Sequence, residues 1–472
     1  MRVHNKQSHQ SGEHKKKAKI LLMTTASPTR GPWIHGRKLP PLGLAYVAGA
    51  LEKEGFQVEM LDNYLLEKPV EEIKLEVERF NPEIVGITCG SVTYERCLET
   101  AKAVKEVLPN CKVVAGGWHP SYLPDSLLQH PEIDYVVVGE GERAMVELAT
   151  HITKGGGSQA PPVIAGVAYR HEGKMVSNPP KFIDNLDEIP HPARHLLPLK
   201  LYHREIEYLS VKPVDVMTTT RGCPFNCAFC ESKTLWGPTC HSISPSKIVE
   251  EIEQLIKNYG TKGIYFINDN FTIRKDETVE MCRLIREKKL DIEWACDTRV
   301  DMISPELLKE MKMAGCKTIW FGVESGSPRI RKKLNLGVTL EQTLDAFKLC
   351  RKEGIQTACS FLMGIPGETV EDMKATFKFG RKLDPDWCLF NIFIAVPGSI
   401  LYEEIMAKGL YDRVEDFATY VKTEDFDYES LLKIQRRFHG SFNKSPKRIL
   451  RKIRKDGLLN VAKTVLSPRP SA

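Results

Sequence analysis

Val214-Asp-Val-Met-Thr-Thr219 is an apolar run that leads, through Thr220-Arg-Gly222, into Cys223-Pro-Phe-Asn-Cys227-Ala-Phe-Cys230. Three soft thiolates in so short a loop suit an iron–sulfur cluster or zinc. A cubane cluster held by three ligands leaves one of its four irons open to a substrate. Structural zinc wants four closed ligands, and Cys240 would be its fourth. Cys227 and Cys230, three apart, are expected on one face of a helical turn, with Gly222 and Pro224 bending Cys223 round to meet them.

Downstream of this loop, strand and helix patterns alternate. Strands are expected at Val214–Thr219, Gly263–Ile267, Glu293–Cys296, Thr318–Val323, Gln356–Leu362 and Leu389–Ile394. Helices are expected at Ser246–Tyr259, Asp276–Lys288, Pro305–Ala314, Thr339–Glu353 and Val370–Leu383. Ser244-Pro245 is a helix start, and Gly315 and Gly354 are stops. The repetition predicts a barrel, complete or open, with its chemistry at the carboxyl ends of the strands.

Upstream the rhythm is the same. Short apolar strands at Ile20–Thr24, Gln57–Leu61, Ile84–Cys89, Lys112–Ala115 and Tyr135–Val138 alternate with helical spacing over Leu42–Lys53, Val70–Phe80, Thr93–Leu108 and Gly141–Ile152. This order predicts a doubly wound parallel α/β sheet of Rossmann or flavodoxin type. Such sheets bind ligands at the carboxyl ends of their strands. Those ends carry Gly90-Ser91-Val-Thr93, Gly116-Gly117-Trp-His119 and Gly139-Glu140-Gly141-Glu142. Small residues there let a large flat ligand approach the backbone, and hydroxyls can bind its polar fringe. Val163–Tyr169 and Lys174–Val176 read as a hairpin, and Phe182–Pro198 reads as a linker.

The chain divides by this reading into a disordered polar tail (1–18), a ligand-binding α/β domain (19–160), a hairpin and linker (161–205), a barrel (206–410) and a helical basic C-terminal region (411–472). Its 472 residues, 42% hydrophobic and 27% charged, describe a globular protein. No apolar stretch reaches the roughly 18–20 residues of a membrane span, and the lysine-rich N-terminus lacks the apolar centre of a secretion signal. Thirteen cysteines at this length are too sparse for a disulfide scaffold and point to a reducing cytoplasm. An exposed low-potential cluster would demand anaerobic conditions. The net charge of +6 gathers in Lys433–Lys463, where no aromatic-and-basic motif accompanies it, so nucleic acid is not the expected partner. That basic amphipathic stretch is compatible with docking on the barrel or with peripheral contact with the inner face of an anionic membrane.

The Cys-x3-Cys-x2-Cys spacing with Phe229 before the last cysteine resembles the signature of the radical S-adenosylmethionine (radical SAM) enzymes. The resemblance implies a 4Fe-4S cluster on Cys223, Cys227 and Cys230. Its open iron would chelate the methionine moiety of S-adenosylmethionine, and one electron would cleave the sulfonium to a 5′-deoxyadenosyl radical. Matched to that family, Phe229, Asn268, Asp269, Arg299, Glu324 and Ser325 would contact S-adenosylmethionine, with Arg299 on its carboxylate. Gly364–Glu368 and Val396–Gly398 would lie near adenine. Asn268 and Asp269 stand where the family has Gly-Gly-Glu, and Asp297 reads as structural.

The first half resembles the cobalamin-binding domain that precedes many radical SAM barrels, through Leu39-Pro-Pro-Leu-Gly-Leu-Ala45 and Gly139–Glu142. Ser91, Thr93, Gly116, Gly117, Gly139, Glu140 and Gly141 would be its cobalamin contacts. The family's Asp-x-His-x-x-Gly is missing: His35 is preceded by Trp33 where aspartate should stand. Cobalamin is therefore expected with its own base displaced and no protein histidine on cobalt, with His35 and His119 as loop or pocket residues.

The whole resembles the group that includes the anaerobic magnesium-protoporphyrin IX monomethyl ester cyclases and the hopanoid methylases. The resemblance implies methylation of an unactivated carbon in a small, lipid-like or tetrapyrrole substrate, with a flavodoxin- or ferredoxin-type electron donor. A non-methylating cyclase or oxidoreductase is the nearest alternative. A methylthiotransferase with a second cluster on Cys89, Cys97 and Cys111 is a further one, and a corrinoid carrier without turnover is disfavoured by the intact triad.

Overall fold

Along β1 (Lys19–Thr24) side chains alternate between two apolar layers. Leu21 and Met23 join a core with Ile73, Val77, Cys97 and Ala101, while Ile20 and Leu22 join another with Ala48, Leu51, Met145 and Leu148. A strand buried on both faces belongs to a parallel sheet covered by helices on each side. The computed structural model describes residues 18–27, 38–154, 163–415, 417–443 and 448. Within them β1, β2 (Gln57–Asp62), β3 (Ile84–Thr88), β4 (Lys112–Gly116) and β5 (Tyr135–Val137) pair in parallel in the order 2-1-3-4-5. β6 (Val167–His171) and β7 (Lys174–Ser177) extend the sheet antiparallel. Helices α1 (Leu42–Lys53) and α5 (Gly141–Thr153) cover one face, and α2 (Val70–Phe80) and α3 (Tyr94–Val107) cover the other; the short α4 (Trp118–Tyr122) follows β4. The strand order reverses between β1 and β3, which opens a crevice at the carboxyl ends.

The second half is a six-stranded parallel sheet. β8 (Val214–Met217) is one edge, followed in space by β11 (Gly263–Phe266), β12 (Glu293–Thr298), β13 (Cys316–Glu324), β14 (Gln356–Met363) and the other edge, β15 (Trp387–Ile392). β8 and β15 do not pair with each other, so the barrel is open. A short ribbon of β9 (Thr220–Arg221) and β10 (His241–Ser242) stands beyond β8. Outward side chains such as Phe266, Trp294, Phe321 and Phe361 form the core with the helices. Ile206, Tyr208 and Leu209 pack on Val214, Tyr265 and Ala295. Ser244, Ser304, Thr339 and Thr369 each cap a barrel helix by accepting from a first-turn amide, an arrangement worth about 1 kcal/mol per cap.

Two segments differ from the sequence reading. The chain was expected to turn helical beyond Gly409, yet Tyr411–Glu415 and Ala418–Val421 form an antiparallel sheet with Ile394–Ala395. Val414, Thr419, Tyr420 and Val421 are β-branched or aromatic and suit a pleated surface. The helix begins at Tyr428 and runs to Asn443, packing Phe438 and Phe442 on Phe390 of β15. The linker is also more than a spacer: Ala193 N–H donates to Ala45 O (2.9 Å), and Arg194 donates to Val216 O (2.7 Å) and Glu251 (2.8 Å), tying both halves together. The N-terminal tail, the loop bearing His35 and, apart from Arg448, the basic run after Asn443 lie outside the described residues. No helix among the described residues is long and apolar enough to cross a membrane.

Candidate functional site

The cysteine loop is fixed on several sides. Gly222 has φ +88°, and a Cβ there would stand 2.1 Å from Thr239 O, so only glycine fits. Ala228 N–H donates to Leu334 O (3.0 Å), Leu401 N–H to Ala228 O (2.9 Å) and Asn335 Nδ2 to Asn226 O (2.8 Å). Cys227 and Cys230 are joined by a tight turn, with Cys230 N–H on Cys227 O at 3.2 Å, rather than by the expected helical turn. Pro224 and the contacts above give the loop a shape that no helical ladder sets.

Cys223, Cys227 and Cys230 are free, half-buried thiols. Burial pushes Cys230 up to about 12 and raises the other two, so ionised sulfurs here require a compensating cation. Among the described residues no three His, Cys, Asp or Glu side chains converge on one metal-ion position. Cys240 therefore does not close a single-zinc site with the triad. A cluster that binds each sulfur to a separate iron fits this donor set.

The candidate S-adenosylmethionine contacts separate into two groups. Arg299 lies at the loop: its guanidinium stacks on Phe225 at 3.7 Å, reaches Cys227 Sγ at 3.9 Å, and is held by Asp301 (3.0 Å) and Leu336 O (2.9 Å). Glu324, at the end of β13, has φ +62° beside a register shift, and its carboxylate folds over Gly322, where a Cβ would meet Oε1 at 2.5 Å. Burial pushes this carboxyl up to about 8 against the pull of Arg331. Strain of this kind persists where the surroundings over-determine it, as at functional sites.

Asp269 is accessible to solvent yet surrounded by protein, which raises its carboxyl; it accepts from Ser232 Oγ (2.6 Å), two residues past Cys230, and so braces the cysteine loop. Phe229 packs its ring on the barrel core. Asn268 and Ser325 are committed elsewhere. The Asn268 amide, with its oxygen turned to the strand, accepts from Thr219 N (3.2 Å) and Thr220 N (2.8 Å). The fully buried Ser325 hydroxyl meets Thr376 Oγ1 (3.2 Å) and Ser327 N (3.1 Å). Asp297 accepts from Tyr265 OH at 2.8–2.9 Å, and burial pushes it up to about 7. Glu368 is buried beneath the Gly364 loop, accepting from Gly364 N (2.7 Å) and Ile365 N (3.1 Å), and Gly398 carries the ring of Tyr122 from the other half.

At the switch in strand order a cavity of about 280 Å³ opens between the first sheet and α1 and α5. Gly116, Gly117, Gly139, Glu140 and Gly141, all singled out from the sequence, line it, together with Leu22, Thr88, Trp118 and, from the barrel half, Arg221 and Trp236. Glycines shape it: a Cβ on Gly86 would reach 2.6 Å from Leu22, and one on Gly141 3.0 Å from Val47. Trp118 presents an exposed indole, 60% accessible. This glycine-built hollow at strand ends, beside an exposed indole and with its two carboxylates already paired to Arg221, suits a broad flat group such as cobalamin.

Ser91 and Thr93 do not line this cavity. Ser91 Oγ meets His119 Nδ1 (3.2 Å), and Thr93 Oγ1 closes its own turn on Gly90 (3.1 Å). His119 is fully buried with Nε2 on Ser126 Oγ (2.8 Å), and burial lowers it to about 4. No histidine lines the cavity among the described residues. Cys89, Cys97 and Cys111 are apolar-core side chains, which leaves the second-cluster reading without ligands.

Arg221, Trp236 and Thr88 escaped sequence reading. Arg221 is buried, with Nη1 on Glu140 (2.6 Å) and Nη2 on Glu142 (2.5 Å); Glu140 also accepts from Ile183 N (2.5 Å). Its position two residues before Cys223 is the one signal that could have marked it.

Two family models match the chain: the radical SAM superfamily over residues 217–380 and the B12 binding domain over residues 36–149. An uncharacterized methyltransferase of Pyrococcus horikoshii is 35% identical over 442 residues, 92% of this chain and 94% of that protein. The anaerobic magnesium-protoporphyrin IX monomethyl ester cyclase of Rubrivivax gelatinosus is 31% identical over 392 residues, 81% and 68% respectively. Among solved structures, the radical S-adenosylmethionine methyltransferase TsrM of Kitasatospora setae superimposes with a TM-score of 0.71 at 22% identity, covering 84% of this chain and 78% of that one.

Proposed function

The chain belongs to the radical SAM superfamily, in the branch that joins a B12-binding domain to the radical SAM domain, and from that premise we propose that it methylates an unactivated carbon of a small, largely apolar molecule. Its cofactors, a 4Fe-4S cluster, S-adenosylmethionine and cobalamin, supply reductive cleavage of a sulfonium and carriage of a methyl group. Cys223, Cys227 and Cys230 hold the cluster, Asp269 braces their loop, and Arg299 and Glu324 bind S-adenosylmethionine. Gly116, Gly117, Gly139 and Gly141 would admit cobalamin, and Trp118 would offer it an aromatic contact.

In the net reaction the substrate C–H bond breaks and its hydrogen leaves in 5′-deoxyadenosine, while a methyl group takes its place. Two S-adenosylmethionine molecules and two electrons give methionine and S-adenosylhomocysteine as the other products. The electrons come from a reductant, which we assign to the flavodoxin or ferredoxin type. The observation that carries this reading is the meeting of both sites at Arg221, a wall of the cavity and two residues from Cys223.

Tyr208, Tyr265, Trp320 and Trp387, together with the polar Glu207, Asp386, His439 and Arg448, line a second cavity of about 380 Å³ at the amino end of β15, on the open edge of the barrel. A lipid-like or tetrapyrrole molecule would find π faces there. Thirteen free thiols support a reducing cytoplasmic setting, and contact of the basic C-terminal segment with the inner membrane face would suit a lipid-like substrate.

The test is anaerobic turnover of reconstituted protein in cell extract with methyl-labelled S-adenosylmethionine. A product heavier by one labelled methyl group is expected. Formation of 5′-deoxyadenosine and an altered product without label would favour cyclisation or oxidation, the reading that the similarity to the cyclase supports.

A further inference from the structure

Arg221 stands at the junction of two sites that arise from different halves of the chain. It ends β9, so its backbone leads through Gly222 directly into Cys223. Its side chain points the other way. The guanidinium is paired with Glu140 (2.6 Å) and Glu142 (2.5 Å) at the start of α5. It lies between two rings, Tyr46 of α1 and Trp236 of the barrel half (Ser232–Trp236), each 5.4 Å away.

Both carboxylates and the guanidinium are nearly inaccessible, at 4%, 6% and 10% for their side chains. A buried arginine shared by two carboxylates is not a solvated surface pair. Taking any one partner away leaves charge uncompensated in a low-dielectric place. The planar, forked guanidinium also fixes direction, which a lysine would not.

The same residues wall the glycine-built cavity. Glu140, Gly141 and Glu142 come from one half; Arg221, Leu235 and Trp236 come from the other. The cavity has its full lining only when the halves are together, and the group that clamps them is continuous with the cysteine loop.

We infer that Arg221 is a positioning residue: it completes the cobalamin site from the barrel half and couples occupancy of that site to the placement of the cluster loop. The inference rests on the cobalamin reading above. Coupling between two sites is reciprocal. Cobalamin should therefore tighten the Thr220–Gly222 backbone, and loss of the clamp should weaken cobalamin binding while leaving the three thiol ligands in place.

The experiment uses the full chain, reconstituted anaerobically with iron and sulfide, as parent, R221Q, R221K and E142Q. Each is titrated with hydroxocobalamin by absorbance, and hydrogen exchange is followed with and without the ligand. R221Q is expected to keep four irons per chain and to lose at least tenfold in cobalamin affinity, with R221K recovering part of it. Slowed exchange over residues 219–222 on loading is expected in the parent and absent in R221Q. Parent-like affinity in R221Q, or protection in the parent that stops at residue 142, would overturn the inference. If R221Q fails to assemble its cluster, E142Q, on the opposite half, decides by the same affinity criterion. A parent chain that takes up no cobalamin would instead sink the cofactor reading itself.

Discussion

Glu324 is a carboxyl held in the wrong charge state for its proposed task. Burial moves its ionisation from an ordinary 4.5 to about 8, so at pH 7 it carries about nine-tenths of a proton. The amino and hydroxyl donors of S-adenosylmethionine favour a carboxylate that can accept from them. Binding at pH 7 should then release close to one proton more from the parent than from Glu324→Gln. Calorimetry in two buffers of different ionisation enthalpy reads that difference directly, and protons lost by the ligand itself cancel between the two proteins. The ligand-free protein gives an independent check. A carboxyl whose folded pKa is raised contributes its stability fully below 4.5, and that contribution fades as pH rises through 8. Relative to the amide variant, the parent should be weaker by about 2 kcal/mol at pH 6 and about 5 kcal/mol at pH 9. The change of about 3 kcal/mol between the two does not depend on what the amide itself costs. Equal proton release by both proteins, together with a stability gap flat from pH 6 to 9, would refute the reasoning.

Three further outcomes are expected. Cys227→Ala should abolish the cluster and 5′-deoxyadenosine formation while cobalamin still binds, and Cys240→Ala should change neither; iron analysis and product chromatography decide. Gly117→Ala puts a side chain at φ +104°, with its Cβ 2.9 Å from Thr88 Oγ1 and 3.0 Å from Cys89 O, so it should cost roughly 1–3 kcal/mol and cobalamin uptake, seen in thermal unfolding and absorbance. Asp372 is held at about 2 by Ser327 Oγ (2.6 Å), the Thr369 amide and hydroxyl, and Arg329. Its depressed pKa stabilises above pH 4, and that is lost as pH falls through 2. Asp372→Asn should therefore cost roughly 2 kcal/mol at neutral pH and nothing below pH 2, measured by denaturant titration.

The contrast between what could and could not be read from the chain follows from distance along it. A parallel strand covered on both faces must be a run of apolar residues, so β1, β3, β8 and β13 announce themselves. Cys223, Cys227 and Cys230 are neighbours in sequence, and the glycines at 116, 117, 139 and 141 sit where a strand has just ended. Hydroxyls in those loops are another matter. Ser91 and Ser325 carry the right groups at the right places, but each is captured by a neighbour that sequence spacing does not reveal, His119 in one case and Thr376 in the other. The Tyr411–Val421 strands were masked by charged residues that face solvent on a small sheet.

Arg221 is the extreme case. Its partners Glu140 and Glu142 lie 81 and 79 residues away, at the start of α5 in the other half of the chain. Each half alone obeys the rule that parallel sheets do their chemistry at strand carboxyl ends. That rule locates two half-sites and says nothing of how far apart they stand. The spacing between a methyl carrier and a radical source must come from side chains that belong to both ends at once. A buried ion triad suits that task because its strength depends steeply on geometry: two charged partners at the start of α5 and one on β9 favour one approach of the halves, where an apolar contact of equal area would tolerate sliding.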